Sequence, residues 1–124
     1  MSNETRKVSE NMVVELIDNS EEVLEAFEKA ISRGLAAIGD TATGHAKEII
    51  TKEGRVDTGR LRNSITFEPK MPEKFVAIGT NVEYAPYQEL GTSRGIKPAY
   101  FLTRAALNYK EEYKSLLKDS LENA

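Results

Sequence analysis

Apolar residues recur along the first half of the chain at Val23, Phe27, Ile31, Leu35, Ile38, Ala42, Ala46 and Ile49, in steps of four and three. With 3.6 residues per turn, that spacing lays one stripe along one helix. The helix runs from Ser20 to about Lys52 and is about 50 Å long. Gly34, Gly39 and Gly44 interrupt good helix formers, each at a cost of about 1 kcal/mol relative to alanine. They mark either close helix contacts or a bend near Gly39-Asp40, and Gly54 ends the element. Upstream, Met12 to Ile17 is short, apolar and partly β-branched, which predicts a strand closed by Asp18-Asn19-Ser20. Asn19 with Glu22, or Ser20 alone, is placed to cap the helix, and Glu21, Glu22 and Glu25 suit the positive end of its dipole. Residues 1–10 are polar and predict a frayed end or one ordered only by a neighbour.

The pattern changes after residue 55. Four of the eight glycines and all four prolines lie between Val56 and Leu107, so this stretch specifies its turns. Asp57 is placed to cap a short helical turn through Arg60 to Asn63. Ile65–Glu68 and Phe75–Gly79 read as strands joined through Pro69-Lys70-Met71-Pro72, an antiparallel hairpin. Asn81 to Tyr84 extends or re-enters the sheet, and Ala85 to Leu90 makes one helical turn near Pro86. Gly91 to Gly95 is a flexible loop. Pro98 precedes a final helix from about Ala99 to Leu121, with Phe101, Leu102, Ala105, Ala106, Tyr109, Tyr113, Leu116 and Leu117 on its apolar face. The predicted class is α+β: a long N-terminal helix and a C-terminal helix packed on a small, mainly antiparallel sheet. Phe27, Ile31, Leu35, Ile38, Ile65, Phe67, Val76, Ile78, Phe101, Leu102 and Ala105 are the expected core.

Composition adds bounds rather than a function. The 124 residues suit one domain, residues 1–124, with a single core. No cysteine is present, so disulfides and thiolate metal sites are excluded. No apolar run approaches the roughly 20 residues of a membrane span, and no secretory signal is visible. A soluble protein made in a cytoplasm is the expectation. The net charge of −3 is uneven. Residues 1–50 carry five Lys/Arg against ten Asp/Glu, whereas residues 51–107 carry nine against six. A basic middle beside an acidic start fits an anion-binding face, a self-complementary assembly surface, or ordinary solvated charge.

Candidate chemistry is sparse. Asp57-Thr58-Gly59 is the triplet of aspartic peptidases, which hold two carboxylates in contact to activate water. Here Arg60-Leu61-Arg62 follows at once, and its cations would hold Asp57 ionised. His45 is the only histidine, so no imidazole pair or triad is available and a structural role is expected. Gly91 and Gly95 lack the Gly-Lys-Ser/Thr of a phosphate loop. Tyr84, Tyr87 and Tyr100 near Arg94 and Lys97 offer base stacking, or the closing of a core or an interface. No cofactor or metal is expected.

Four blocks in order resemble a family of tailed-bacteriophage tail-component proteins, the neck or tail-completion proteins of long-tailed phages. The first is Val56-Asp57-Thr58-Gly59-Arg60-Leu61-Arg62-Asn63-Ser64-Ile65. Ala77-Ile78-Gly79-Thr80 and Tyr84-Ala85-Pro86-Tyr87-Gln88-Glu89-Leu90-Gly91-Thr92 follow. The last is Pro98-Ala99-Tyr100-Phe101-Leu102 with Ala105-Ala106. Departures are small: Arg55 stands where proline is common, Leu90 where an aromatic often sits, and Tyr100 where arginine or proline is common. The resemblance implies a non-enzymatic role at or near the head–tail junction, in the virion after assembly in the host cytoplasm. It implies a homo-oligomeric ring, a hexamer by resemblance, that meets neighbouring neck or tail proteins. Within it Asp57 and Thr58 are expected to cap, Gly59 and Gly91 to turn, Tyr84 and Tyr87 to pack, and Pro98 to start a helix. The loop holding Arg94, Gly95 and Lys97 would fold on an adjacent tail or neck protein or face the path of the DNA. A nucleic-acid-binding cytoplasmic protein and, more remotely, a dimeric peptidase remain the alternatives.

Overall fold

The computed structural model describes residues 20–54 and 58–123, without the side chains of Ser20 and Thr58. The strand expected at Met12–Ile17, the polar start at 1–10 and the Asp57 cap lie outside the described residues. In chain order the elements are α1 (Ser20–Glu53), α2 (Thr58–Ser64), β1 (Thr66–Lys70), β2 (Phe75–Gly79), α3 (Ala85–Leu90), α4 (Phe101–Leu107) and α5 (Lys110–Glu122). The class is α+β, and α1 is the element on which α2, the hairpin, α4 and α5 all pack.

α1 is one α-helix of 34 residues, as its period predicts, and stays helical through Gly39-Asp40. Gly34 and Gly39 are close-approach positions instead of a bend. A Cβ on Gly34 would stand 2.8 Å from Leu117 Cδ1 of α5. One on Gly39 would fall inside the Phe67 ring of β1 and 2.8 Å from Val76 Cγ2 of β2. Five residues turn a helix by about 140°, so the hairpin and α5 occupy different faces of α1. Gly44 has nothing within 4 Å.

β1 and β2 pair antiparallel, with Phe67 opposite Ile78 and Pro69 opposite Val76. Directly opposed residues share a face, so these four form the face laid on α1. They are half-buried rather than core. A two-stranded ribbon over a single helix leaves its margins open, which corrects the expected burial of Phe67, Val76 and Ile78. No third strand forms from Asn81 to Tyr84; this stretch is an irregular turn that buries Val82.

The core is one cluster built from the C-terminal part of α1 (Ala46, Ile49, Ile50), with Leu61, Ile65, Val82, Ala85, Ala99, Phe101 and Ala105. Leu35 is buried higher on α1, while Ile31, Ile38 and Leu102 are half-buried and Ala106 is exposed. The expected core residue Phe27 is 48% exposed, and Val23 and Leu24 are exposed with it. Among the described residues nothing covers the stripe here.

The single final helix expected from Ala99 to Leu121 is two. α4 ends at Asn108, whose N–H donates to the Arg104 carbonyl at 2.9 Å, and Tyr109 leaves helical geometry at φ −126°. The break lets Tyr109 lie flat on His45, with centroids 3.5 Å apart and planes within 3°. α5 then runs back along α1: Glu112 reaches His45, Leu117 meets Gly34, and the Ser120 hydroxyl donates to the Ala30 carbonyl at 2.5 Å. α5 ends at Glu122, so nothing described covers α1 above Ala30 and residues 21–29 are all exposed.

Candidate functional site

The signature residues converge at the C-terminal end of α1, where they hold short elements against one another. Ser64, the last residue of α2, donates its hydroxyl proton to the Leu61 carbonyl at 2.6 Å. Its oxygen therefore receives the Thr80 hydroxyl at 2.5 Å, and Thr80 Oγ1 accepts the Val82 N–H at 3.1 Å. This chain of three bonds fixes the end of β2 to the end of α2 and sets the turn into α3. Leu61 sits beneath it, fully buried. Gly79 closes β2, and Gly59 lies inside α2 rather than in the turn expected of it.

Glu89 does the corresponding work on the other side. Its carboxylate accepts the Leu102 N–H at 2.9 Å, the Thr103 N–H at 3.0 Å and the Thr103 hydroxyl at 2.6 Å. These are first-turn donors of α4 that have no partner inside the helix, and a carboxylate there also meets the favourable end of the dipole. Tyr100, the N-cap of α4, is left-handed (φ 49°) and makes no side-chain cap bond, so Glu89 caps from a distance. The Ala99 and Tyr100 N–H groups donate to the Gln88 and Glu89 carbonyls at 2.8 and 3.1 Å, lashing the segment after Pro98 along α3. Phe101 follows into the core at 0% exposure.

Gly91 makes this return possible. At φ 76° it occupies backbone space unfavourable to other residues, and a Cβ would stand 2.7 Å from the Ile96 carbonyl oxygen. Thr92 closes the loop twice: its N–H donates to Ile96 O at 2.9 Å, and its hydroxyl accepts the Ile96 N–H at 3.3 Å. The loop that carries Arg94, Gly95 and Lys97 is therefore a clasped turn, not the unconstrained one expected from its glycines.

Tyr84 and Tyr87 part company. Tyr84 is half-buried against the core with the Arg60 guanidinium 5.3 Å from its ring centre. Arg60 also holds Glu83 through both carboxylate oxygens at 2.9 and 3.1 Å. The Glu83 carboxyl is pulled below the usual range, first by its own backbone N–H and then by Arg60. Tyr87, by contrast, is 56% exposed and lies outside the core cluster. Leu90, one turn on, is 66% exposed. Between α3, the end of β2 and Leu102 lies a groove of about 400 Å³, lined by Val82, Ala85, Pro86, Leu90 and Leu102, with Glu83 and Glu89 at its edges.

His45 is a second focus, one for which the sequence suggests only a structural role. Nε2 lies 2.5 Å from Glu112 Oε1 and Nδ1 3.4 Å from Glu48 Oε1, with Tyr109 stacked on the ring. Glu48 at i+3 is visible in the sequence as a neighbour; Tyr109 and Glu112 are not, because their position depends on the break at Asn108. Tyr113 donates to the Ala105 carbonyl, and burial, helped by Glu112 and Tyr109, pushes its phenol up to about 12. Among the described residues no group of three or more His, Asp or Glu is arranged to hold a metal ion, and no helix is long and apolar enough to cross a membrane.

The family model described as "Bacteriophage HK97-gp10, putative tail-component" matches residues 14–91, more than half of the chain. The chain belongs to this family. The match spans α1, α2, the hairpin and α3 and stops at Gly91, so the Pro98–Ala106 block lies beyond it. Neither curated proteins nor solved structures returned a match. Membership makes this a phage tail-related structural protein, associated with the virion and with other tail or neck proteins.

Proposed function

We propose that this protein acts in tail completion and head–tail joining as a homo-oligomeric ring, without catalysis of its own. The observation that carries the reading is the placement of exposed apolar side chains at opposite ends of α1. Val23, Leu24 and Phe27 sit at its N-terminal end, while Tyr87, Leu90, Ile96 and Tyr100 lie on α3 and the segment returning along it, whose Ala85 and Ala99 join the cluster with Ile49 and Ile50 near its other end. Phe27 and Ile50 are 23 positions apart, about 35 Å along a helix, so the two patches cannot cover each other within one subunit. Two different patches that need cover favour head-to-tail contacts, which give a ring when the rotation between neighbours closes. The described signature residues support the same reading: their bonds run to backbone and to one another and set turns, as in a scaffold.

The test is assembly in vitro. Heads and tails from particles lacking this chain are mixed with purified protein, and infectious joined particles are counted. Joining restored by the added protein, together with an oligomeric mass in native mass spectrometry, is the expected result. Efficient joining without the chain refutes the role.

A further inference from the structure

A cation-lined cleft of about 270 Å³ lies where α1 meets α2, walled by Lys47, Glu48, Thr51 and Lys52 of α1 and Arg62 of α2. The Thr51 hydroxyl donates to the Lys47 carbonyl at 2.9 Å and accepts from the Arg62 guanidinium at 3.2 Å, which pins that planar fork against α1. The other Arg62 N–H groups and the Lys47 and Lys52 ammonium groups have no partner among the described residues. Lys47 and Arg62 are half-buried and Lys52 is exposed. The one carboxylate in the lining, Glu48, stands four positions before Lys52 yet is drawn to His45, 3.4 Å from Nδ1. Glu53, one position beyond Lys52, is taken by Arg104 at 3.2 Å.

Cations elsewhere on the chain do meet carboxylates: Lys29 meets Glu25, Arg60 meets Glu83, Lys70 meets Glu68 and Lys114 meets Glu111. Acidic residues outnumber Lys and Arg by 20 to 17, so three cations left together around one concavity are not short of acids to pair with. They form a local positive field on an acidic protein, and such a field draws an external anion.

The lining narrows what that anion is. It holds no apolar or aromatic side chain, so it lacks the buried anchor on which a protein partner's contact depends. It also lacks the ring on which an unpaired base would stack. What it offers is two ammonium point charges and a guanidinium fork, the donors that take phosphate oxygens. We propose that this cleft binds the phosphate backbone of a double-stranded nucleic acid, with Lys47, Lys52 and Arg62 each meeting a phosphate and no base being read. The site is independent of the ring reading above, because one monomer carries all three cations.

Fluorescence anisotropy of a short labelled DNA duplex, titrated with the full chain at several salt concentrations, provides the test. Three phosphate contacts give a slope of log K against log salt of about −2.7, so affinity should fall about 40-fold between roughly 50 and 200 mM salt. Lys47→Gln/Lys52→Gln leaves one contact: the slope should shrink to about −0.9 and low-salt binding should weaken by more than about tenfold, with the circular dichroism spectrum unchanged. Arg94→Gln/Lys97→Gln, on the turn after α3, should alter neither. No binding at low salt, equal binding by the Lys47/Lys52 variant, or an equal loss in the Arg94/Lys97 variant overturns the site. Tighter binding of the single strand, or equally tight binding of poly-glutamate, overturns the duplex as its ligand. Inorganic phosphate that shifts the amide resonances of residues 47–52 while no duplex binds reduces the cleft to a free-anion site and overturns the backbone contact.

Discussion

The two ends of α1 share one apolar stripe and meet opposite fates. At the C-terminal end Ala46, Ile49 and Ile50 are enclosed by α2, the turn at Val82 and α4. At the N-terminal end Val23, Leu24 and Phe27 stand in solvent. Periodicity is identical in both, so amphipathicity reports that a face will be covered but not by which chain. The enclosed end is rich in small residues, with Ala42 and Ala46 buried on the stripe, which lets other elements approach. The exposed end carries larger apolar groups and four glutamates, the pattern of a rim that meets another surface.

The comparison is broken most sharply by paired truncations. Phe101→Ala should cost about 3–5 kcal/mol in denaturant unfolding, because the ring is completely buried. Phe27→Ala should change monomer stability by no more than about 0.5 kcal/mol while reducing assembly. Equal losses of stability would erase the distinction between the ends.

Glycine-to-alanine exchanges sharpen it next. Alanine favours a helix by about 1 kcal/mol over glycine, so Gly44→Ala, with open space around it, should stabilise by up to that amount. Gly39→Ala should instead destabilise by about 1–3 kcal/mol, because the methyl collides with Phe67 and Val76. Thermal melts of the two variants moving in the same direction would contradict the packing of the hairpin on α1. Glu89→Ala should cost about 1–2 kcal/mol by uncapping α4, and Glu89→Gln should cost less, since an amide oxygen still accepts one N–H.

The smallest effect expected is on alkaline stability. Tyr113 has its phenol raised to about 12 in the folded state against 10.0 in the unfolded chain. Its contribution is complete below pH 10 and is lost as pH rises from 10 towards 12, because the unfolded chain releases the proton first. Tyr113→Phe should flatten the stability curve over that interval. An unchanged slope would place the phenol in water.

Legibility in the sequence follows the range of the interactions. The hairpin, α3 and the extent of α1 are legible because proline, glycine and periodicity act within a few residues. The break at Asn108 is not: neither proline nor glycine marks it, and what holds it open is Tyr109 stacking on His45, 64 positions away. Glu89 is recognisable as part of a motif, but its capping of α4 spans 13 positions and emerges only when the Gly91 turn folds the chain back. The exposure of Phe27 runs against its place on the stripe, because periodicity carries no sign of which element packs on a given turn. The Thr43 hydroxyl, buried without a hydrogen-bond partner among the described residues, leaves no trace in the pattern at all.

The most direct measurement is amide hydrogen exchange on the full chain, dilute and monomeric against assembled. Residues 42–50, inside the core, should be protected in both states. Residues 21–29 should exchange rapidly in the monomer and slowly in the assembly, as should the α3 groove around Leu90 by a smaller factor. Protection of 21–29 that is the same in both states would contradict the account.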